Sequence, residues 1–321
     1  MTGDPDTAAF LAGRFGLGLA VNLQQVARGA MGAVWKLSVE GASYALKQPY
    51  WQEPREQDVL REVDFRASCS RRGVPSPEPI ASAAGKYVVS DGTRSWRVYD
   101  WIDGTVPDRN DVGVTTWLAA QMGAIHSLGW APGDENAESG EPDAFYHRVD
   151  VDWVELAAAA EKAGADWAPA LGALVPQLEE LSELVNGTPV GAMVWCHRDL
   201  KNTNVLVGLE SSWLVDWDNA GPMTPWRELG HLLMNHLSSG TNLRRITSAY
   251  RGAGGTASIE GPEGFATGLA VWLNFLNGQA TSVLDPELED EHRAYALEKV
   301  APLLRSMPDL RTLEQASLLG R

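Results

Sequence analysis

The stretch V-W-C-H-R-D-L-K-N-T-N-V-L-V, residues 194–207, sets His197, Arg198, Asp199, Lys201 and Asn204 on one short loop between two apolar runs. A single Asp in such a place closes a turn by bonding its own backbone. Several acids and amides at this spacing point instead to oxygens that converge on a common partner.

The residues that follow say which partner. Val205–Val207 and Trp213–Val215 are apolar runs separated by G-L-E-S-S, residues 208–212. A hairpin centred near Glu210 would pair Val207 with Trp213 and Val205 with Val215, and would set Asn204 opposite Asp216. Directly paired residues share a sheet face, with Cβ atoms about 5 Å apart. A carboxylate beside a neutral oxygen is a donor set that Mg²⁺ accepts when phosphates and waters complete its octahedron. Asp199 approaches the same spot and could take the proton of a substrate hydroxyl. Lys201 could neutralise charge on a transferring phosphoryl group. The expected catalytic residues are therefore Asp199 and Lys201, and the expected metal ligands Asn204 and Asp216.

The run from His197 to Asn204 resembles the H-R-D-L-x-x-x-N catalytic loop of protein kinases. Asp216, within V-D-W-D at residues 215–218, stands where those enzymes carry D-F-G. An acid-Trp-acid in that place is similar to the aminoglycoside phosphotransferase and choline kinase branch of kinase-like enzymes. The resemblance implies a bilobal α+β fold, with an antiparallel sheet and one main helix in the N-terminal lobe and a mostly helical C-terminal lobe. It implies ATP and Mg²⁺ as cofactors, Asp199 as the catalytic base, and His197 as a residue bracing the loop. Arg198 departs from the pattern, since the antibiotic kinases commonly carry Gly there. Glu228 is the candidate for the carboxylate that fixes this segment, where Asp is more usual. No long segment follows Asp216 before the next helix, which favours a small molecule over a peptide as acceptor.

The first third of the chain offers the remaining parts. Strands are expected over 22–26, 33–39 and 43–48, with a hairpin turn at 40–42, and over 87–90 and 95–99. R-G-A-M-G-A-V, residues 28–34, resembles the second half of a glycine-rich phosphate loop, with Ala27 replacing its first Gly; Gly29 and Gly32 would let backbone N–H groups approach phosphates. Y-A-L-K, residues 44–47, resembles V-A-I-K, so Lys47 would bind the α- and β-phosphates. The helix opening at Pro54 offers Glu56 and Glu62 as the ion-pair partner of that lysine. Glu62 borders the apolar stripe of Val59 and Val63 and is the choice. By the same resemblance, backbone groups of Asp100 and Ile102 would hydrogen-bond the adenine. The expected division is a nucleotide-binding lobe at 1–100 and a catalytic and substrate-binding lobe at 101–321, hinged near 99–104, with the ligand in the cleft between them.

Helical periodicity covers 6–17, 114–128, 152–163, 168–185, 228–238, 262–276 and 287–304, and residues 131–143 read as a polar loop. Net charge is −16 in 321 residues. That balance disfavours nucleic acid and anionic membranes and suits a cationic small molecule. Two cysteines far apart suggest no disulfide framework and fit a reducing cytoplasm. No membrane-spanning run is present. The chain is expected to act as a monomer or weak dimer. An aminoglycoside or related antibiotic is the first substrate class. A metabolic alcohol such as an amino sugar, a choline-like amine or homoserine is the alternative, and a catalytically silent nucleotide-binding regulator is a third reading.

Overall fold

A computed structural model describes residues 2–29, 31–51, 53–130 and 143–319. Most of the polar stretch at 131–143 and Ala30 of the glycine-rich stretch lie outside them. In chain order the first elements are α1 (Pro5–Phe15), β1 (Ala20–Arg28), β2 (Gly32–Val39), β3 (Ala42–Pro49), α2 (Glu56–Arg71), β4 (Pro79–Ile80), β5 (Val89–Ser90) and β6 (Ser95–Asp100). Next come α3 (Val112–His126), α4 (Ala144–His147), α5 (Trp153–Lys162) and α6 (Ala168–Gly187). Four short strands follow: β7 (Val194–Cys196), β8 (Val205–Val207), β9 (Ser212–Leu214) and β10 (Gly221–Met223). The chain ends in α7 (Pro225–Leu233), α8 (Gly240–Gly252), α9 (Ala266–Leu284), α10 (Asp290–Ser306) and α11 (Leu310–Leu319). The result is the expected α+β class, with an antiparallel sheet early and helices after it. No helix among the described residues is long and apolar enough to cross a membrane.

The chain forms two compact units, Met1–Arg109 with Asn202–Ala220, and Asn110–Lys201 with Gly221–Arg321. In the first, the sheet runs β1-β2-β3-β6-β4, with β5 on β6 and every pairing antiparallel. Strict alternation in β2 buries Ala33, Trp35, Leu37 and Val39 on one face, as a period of two requires. Leu46 and Val98 join them in register, Trp96 meets Trp35 edge-on at 6.1 Å, and α1 covers the face with Leu11, Ala12 and Phe15. Asp4 caps α1 by accepting the N–H groups of Asp6 and Thr7, bonds that satisfy otherwise orphaned donors. The opposite sheet face carries Lys47 and Arg97 and meets α2 through charge. The hairpin β8–β9 belongs to this unit because Val207 exchanges backbone bonds with Thr105 and the Leu214 N–H donates to the Pro75 carbonyl.

The second unit is helical around α9, which buries Ala266, Leu269, Ala270, Leu273, Leu276 and Ala280. That helix packs on α7, α10, α6, α5 and α4, while α3 packs along α8. The two-stranded ladder β7–β10 pairs Cys196 with Gly221 and Val194 with Met223. The acids at 285–291 serve α10: Asp285 accepts the Glu287 N–H, and Asp290 pairs with Arg293. On α7, Gly230 lies so close to the next backbone that an added Cβ would meet the Gly264 carbonyl oxygen at 1.8 Å.

That contact is backbone against backbone and cannot be relieved by a side-chain turn. Gly230→Ala is expected to destabilise the protein by about 3 kcal/mol, at the upper end for overpacking, read as a lower denaturant midpoint at unchanged slope.

Candidate functional site

In the first unit the site is built on two cations side by side. Lys47 on β3 stands directly opposite Arg97 on β6, so both side chains leave the same sheet face. Like charges so placed need anions. The Lys47 ammonium lies 2.6 Å from Asp216 Oδ1 and 2.6 Å from Asp218 Oδ2. Arg97 donates from Nη1 to Asp218 Oδ1 at 2.8 Å and from Nη2 to Glu62 Oε2 at 2.7 Å. Arg66, one turn after Glu62 on α2, approaches Glu62 Oε1 at 3.3 Å and also bonds Ser76 and the Pro77 carbonyl. Three cations thus alternate with three carboxylates. Burial alone would lower the Lys47 pKa, but Asp218 and Asp216 outweigh it and hold the ammonium above the ordinary lysine range. Arg97 is held above its usual range by Glu62 and Asp218 against the same burial.

Trp217 aims the two aspartates. It is 2 % exposed, meets Phe65 of α2 edge-on at 5.8 Å, and donates its indole N–H to the Leu214 carbonyl. With the middle residue anchored, the acids on either side turn toward Lys47. Asp216 reaches this place at φ 66°, in the left-handed region.

Two expectations are corrected here. Lys47 and Glu62 are not partners: Arg97 stands opposite the lysine in register and takes Glu62, and the lysine takes Asp216 and Asp218. Glu56, the other candidate, accepts the backbone N–H groups of Tyr87 and Val88. The hairpin register also differs by one residue. Val205 pairs with Leu214 and Val207 with Ser212, and Gly208 bonds Ser211, closing a two-residue turn at Leu209-Glu210. Asn204 therefore lies opposite Val215, whose N–H donates to the Asn204 carbonyl at 2.9 Å, and Asp216 falls one step beyond the ladder. Asn204 is buried.

The glycine-rich turn joins β1 to β2. Gly29 donates its N–H to the Gly32 carbonyl at 2.9 Å. Gly32 is required sterically, because a Cβ there would meet the Gln48 carbonyl oxygen at 2.5 Å, whereas Gly29 has open space. Asp100 ends β6 with its N–H bonded to the Glu78 carbonyl. Ile102 follows two residues later, half-buried.

In the second unit the loop after β7 carries Asp199, whose Oδ2 lies 2.8 Å from the Lys201 ammonium. Asp199 donates its N–H to His197 Nδ1 at 3.3 Å, and the His197 ring is fully buried. Glu228 on α7 sits beneath. Its Oε1 accepts the Arg198 N–H at 2.5 Å and its Oε2 lies 2.6 Å from His126 Nε2. His126 Nδ1 in turn faces the Tyr250 hydroxyl at 3.0 Å. Burial would raise the Glu228 pKa, but the His126 bond, reinforced by His197 and the Arg198 N–H, lowers it. Cys196 lies 3.4 Å from His126 Nε2 and donates to the Met223 carbonyl, its thiol pushed well up by burial. His126, Cys196 and Glu228 have the donor types of a metal site. Here they bond one another and the loop, and the group acts as a brace.

Arg198 also has φ 66°. This is the position where glycine is usual in the resembling kinases, and the left-handed backbone supplies the reason. The guanidinium lies over the Tyr146 ring at 4.6 Å, pairs with Asp143 at 3.4 Å, and packs on the bare Cα of Gly221. His147, beside Tyr146, is buried with neither ring nitrogen hydrogen-bonded among the described residues. Burial, with the Arg227 and Arg198 charges, lowers its pKa to about 4. Sequence reasoning missed Asp218, Arg97 and Arg66. The second acid of D-W-D was in view; Arg97 shares a face with Ser95 and Tyr99 by alternation, but its place opposite Lys47 comes from the register.

A model of the phosphotransferase enzyme family matches residues 22–262. No curated protein sequence matches the chain. Among solved structures, a spectinomycin phosphotransferase in complex with ADP and spectinomycin is 16% identical, covering 99% of this chain and 98% of its own, with a TM-score of 0.67. An amicoumacin kinase in complex with AMP-PNP and Ca²⁺ is 16% identical over 89% of each chain, TM-score 0.59. A choline kinase from Cryptosporidium parvum is 14% identical over 93% of each chain, TM-score 0.54.

Two outcomes follow from the buried charges. Glu62→Gln leaves two buried guanidiniums short of a carboxylate and is expected to destabilise the protein by about 3 kcal/mol, read by chemical denaturation at neutral pH. His147 titrates near pH 6.5 when unfolded and near 4 when folded. The unfolded chain therefore binds the proton first, and stability falls as pH drops through that window, by about 3 kcal/mol in all. In His147→Gln that part of the slope is expected to vanish from denaturation curves at pH 4 to 7.

Proposed function

From a chain that belongs to the phosphotransferase enzyme family, and so carries a phosphoryl group to a hydroxyl of a small molecule, we infer an ATP- and Mg²⁺-dependent kinase of a cationic alcohol. The observation that carries this reading is the gathering of two carboxylates, Asp216 and Asp218, around one cationic group at 2.6 Å each. Oxygen donors that already converge on an ammonium suit a hard divalent cation. Asp216, with Asn204, would hold Mg²⁺, and Asp218 adds a third donor. When bound, the metal supplies charge neutralisation on the phosphates.

The chain's own groups do the rest. Gly29 and Gly32 let the backbone of the glycine-rich turn approach the phosphates with no Cβ in the way, and Lys47 fixes the α- and β-phosphates. Backbone groups at Asp100 and Ile102 bind the adenine. Asp199 accepts the hydroxyl proton as the substrate oxygen forms its bond to the γ-phosphorus and the bond to the ADP oxygen breaks. Lys201 neutralises charge on the group in transit. Glu228, through the Arg198 N–H and His126, is a positioning residue for the loop. Residues 1–100 are assigned to nucleotide binding and 101–321 to catalysis and substrate binding, with 101–109 and 202–220 belonging to the compact unit of the first. Two free, buried cysteines fit a reducing cytoplasm.

The net charge of −16 favours a cationic acceptor, and an aminoglycoside or related antibiotic is the first class to test. A panel of aminoglycosides, other antibiotics and amino alcohols, read by ADP release, separates a resistance enzyme from a metabolic kinase. ATP binding by thermal shift with no turnover on the whole panel would favour a silent regulator. On the substrate that turns over, Asp199→Asn is expected to lose on the order of 10²-fold or more in kcat, with ATP still raising Tm. Near-wild-type turnover in that variant would remove Asp199 from the role of base.

A further inference from the structure

Lys47 and Glu62 lie on the same charge network, buried at Glu62 and partly open at Lys47, yet do not touch. Glu62 is saturated, with Arg97 at 2.7 Å from Oε2 and 2.9 Å from Oε1, and Arg66 at 3.3 Å from Oε1. Both guanidiniums are permanently charged and all three side chains are no more than 7% exposed. Nothing in that arrangement draws the lysine in. The ammonium instead closes on Asp216 and Asp218, each at 2.6 Å.

An ammonium between two carboxylate oxygens occupies the place of a small cation. We propose that Lys47 is the resting occupant of the cation seat formed by Asp216 and Asp218, and that it must leave this seat before a divalent metal can take it. This rests on the reading above that Asp216 belongs to the metal site. The lysine leaves only toward another anion, because among the described residues the two aspartates are the carboxylates it pairs with and Glu62 is held by Arg97. The phosphates of a nucleotide are such an anion. Metal and nucleotide therefore enter together: each relieves the cost of the other, which is a positive coupling between two ligands. In the absence of nucleotide, the Lys47 pairing opposes entry of a metal into the seat.

The test uses Mn²⁺ alone, titrated into nucleotide-free full-length protein and followed by the free-ion electron paramagnetic resonance signal. Lys47→Met and Lys47→Gln each remove the resident cation, and circular dichroism with Tm confirms that at least one of them is folded. Each folded variant is expected to bind Mn²⁺ on the order of ten-fold more tightly than wild type, a change of about 1.4 kcal/mol. Adding Asp218→Asn or Asp216→Asn to the folded variant is expected to abolish the gain. An Mn²⁺ affinity equal to or weaker than wild type in the folded variants would overturn the proposal, as would a gain that survives both aspartate substitutions. The kinase reading is judged separately. Wild-type turnover with no Mn²⁺ gain sinks the seat and leaves the kinase. A gain that depends on the aspartates, in a wild type that neither binds nor hydrolyses ATP, leaves the seat and sinks the kinase.

Discussion

Two cations opposite one another on one sheet face organise the first unit. Once Lys47 and Arg97 are set in register on β3 and β6, their repulsion and their desolvation must both be answered within a few ångströms. The answers come from different segments. Helix α2 brings Glu62, with Arg66 behind it, and the turn after β9 brings Asp216 and Asp218. Charge neutrality therefore ties the sheet, the helix and the D-W-D turn into one arrangement. The apolar clamp of Phe65 on Trp217 holds helix and turn in contact while the charges find partners. A network of this kind contributes little net stability compared with an apolar core of equal volume, but it strongly penalises any arrangement that leaves one member unpaired. What it fixes is position.

The second unit solves a related problem with different groups. The loop after β7 must present Asp199 from a backbone that has already turned through a left-handed residue. Glu228 takes the N–H that this turn exposes and anchors itself on His126, which Tyr250 holds from the other side. The carboxylate is fully buried, so its charge is tolerable only because all these donors point at it. The longer side chain of Glu in place of the usual Asp spans from α7 to both the loop N–H and the imidazole. Cys196 fills the remaining space as a weak donor whose thiol stays protonated.

Much of this was legible in the sequence because it rests on local pattern. The alternation in β2, the apolar stripe of α2 and the polar loop between β7 and β8 all follow from spacing. The α8 helix lay outside the stretches read as helical, although Leu243, Ile246, Thr247 and Tyr250 repeat at the spacing of one helix face and are buried. Strands β4, β7 and β10 span two or three residues each, too short for any period to show. The hairpin register slipped because pairing an odd loop about Glu210 brings Asn204 against Asp216, whereas the chain closes a shorter turn with the bond from the Gly208 N–H to the Ser211 carbonyl. A one-residue slip changes which side chains share a face, and the left-handed turn at Asp216 is what re-aims the acid after it. Arg97 was hidden for another reason. Its role depends on the residue across the ladder, and cross-strand register is not written in either strand alone. The partner of Lys47 could not be chosen without it.

Arg198 and Asp216 are the two non-glycine residues with positive φ among the described residues, and both fall in the segments whose spacing first drew attention. A side chain in that region costs about 1–2 kcal/mol, so each conformation persists only where its surroundings over-determine it. Arg198 is held by the Glu228 bond to its N–H, by Tyr146 under its guanidinium and by the space that Gly221 leaves. Asp216 is held by the Val215 bond before it, the buried Trp217 after it and the Lys47 ammonium at its oxygen. Both supports are themselves charged or buried, so neither turn can relax without leaving a costly group unpaired. The strain thus locates two carboxylates, Asp199 and Asp216, on backbones that cannot drift. On the proposed reading, acids fixed in advance would need no reorganisation when charge develops on a reacting phosphoryl group. The placement of strain and the placement of acids are one design: the backbone is bent where an acid must be aimed, and the neighbours are chosen to keep it bent.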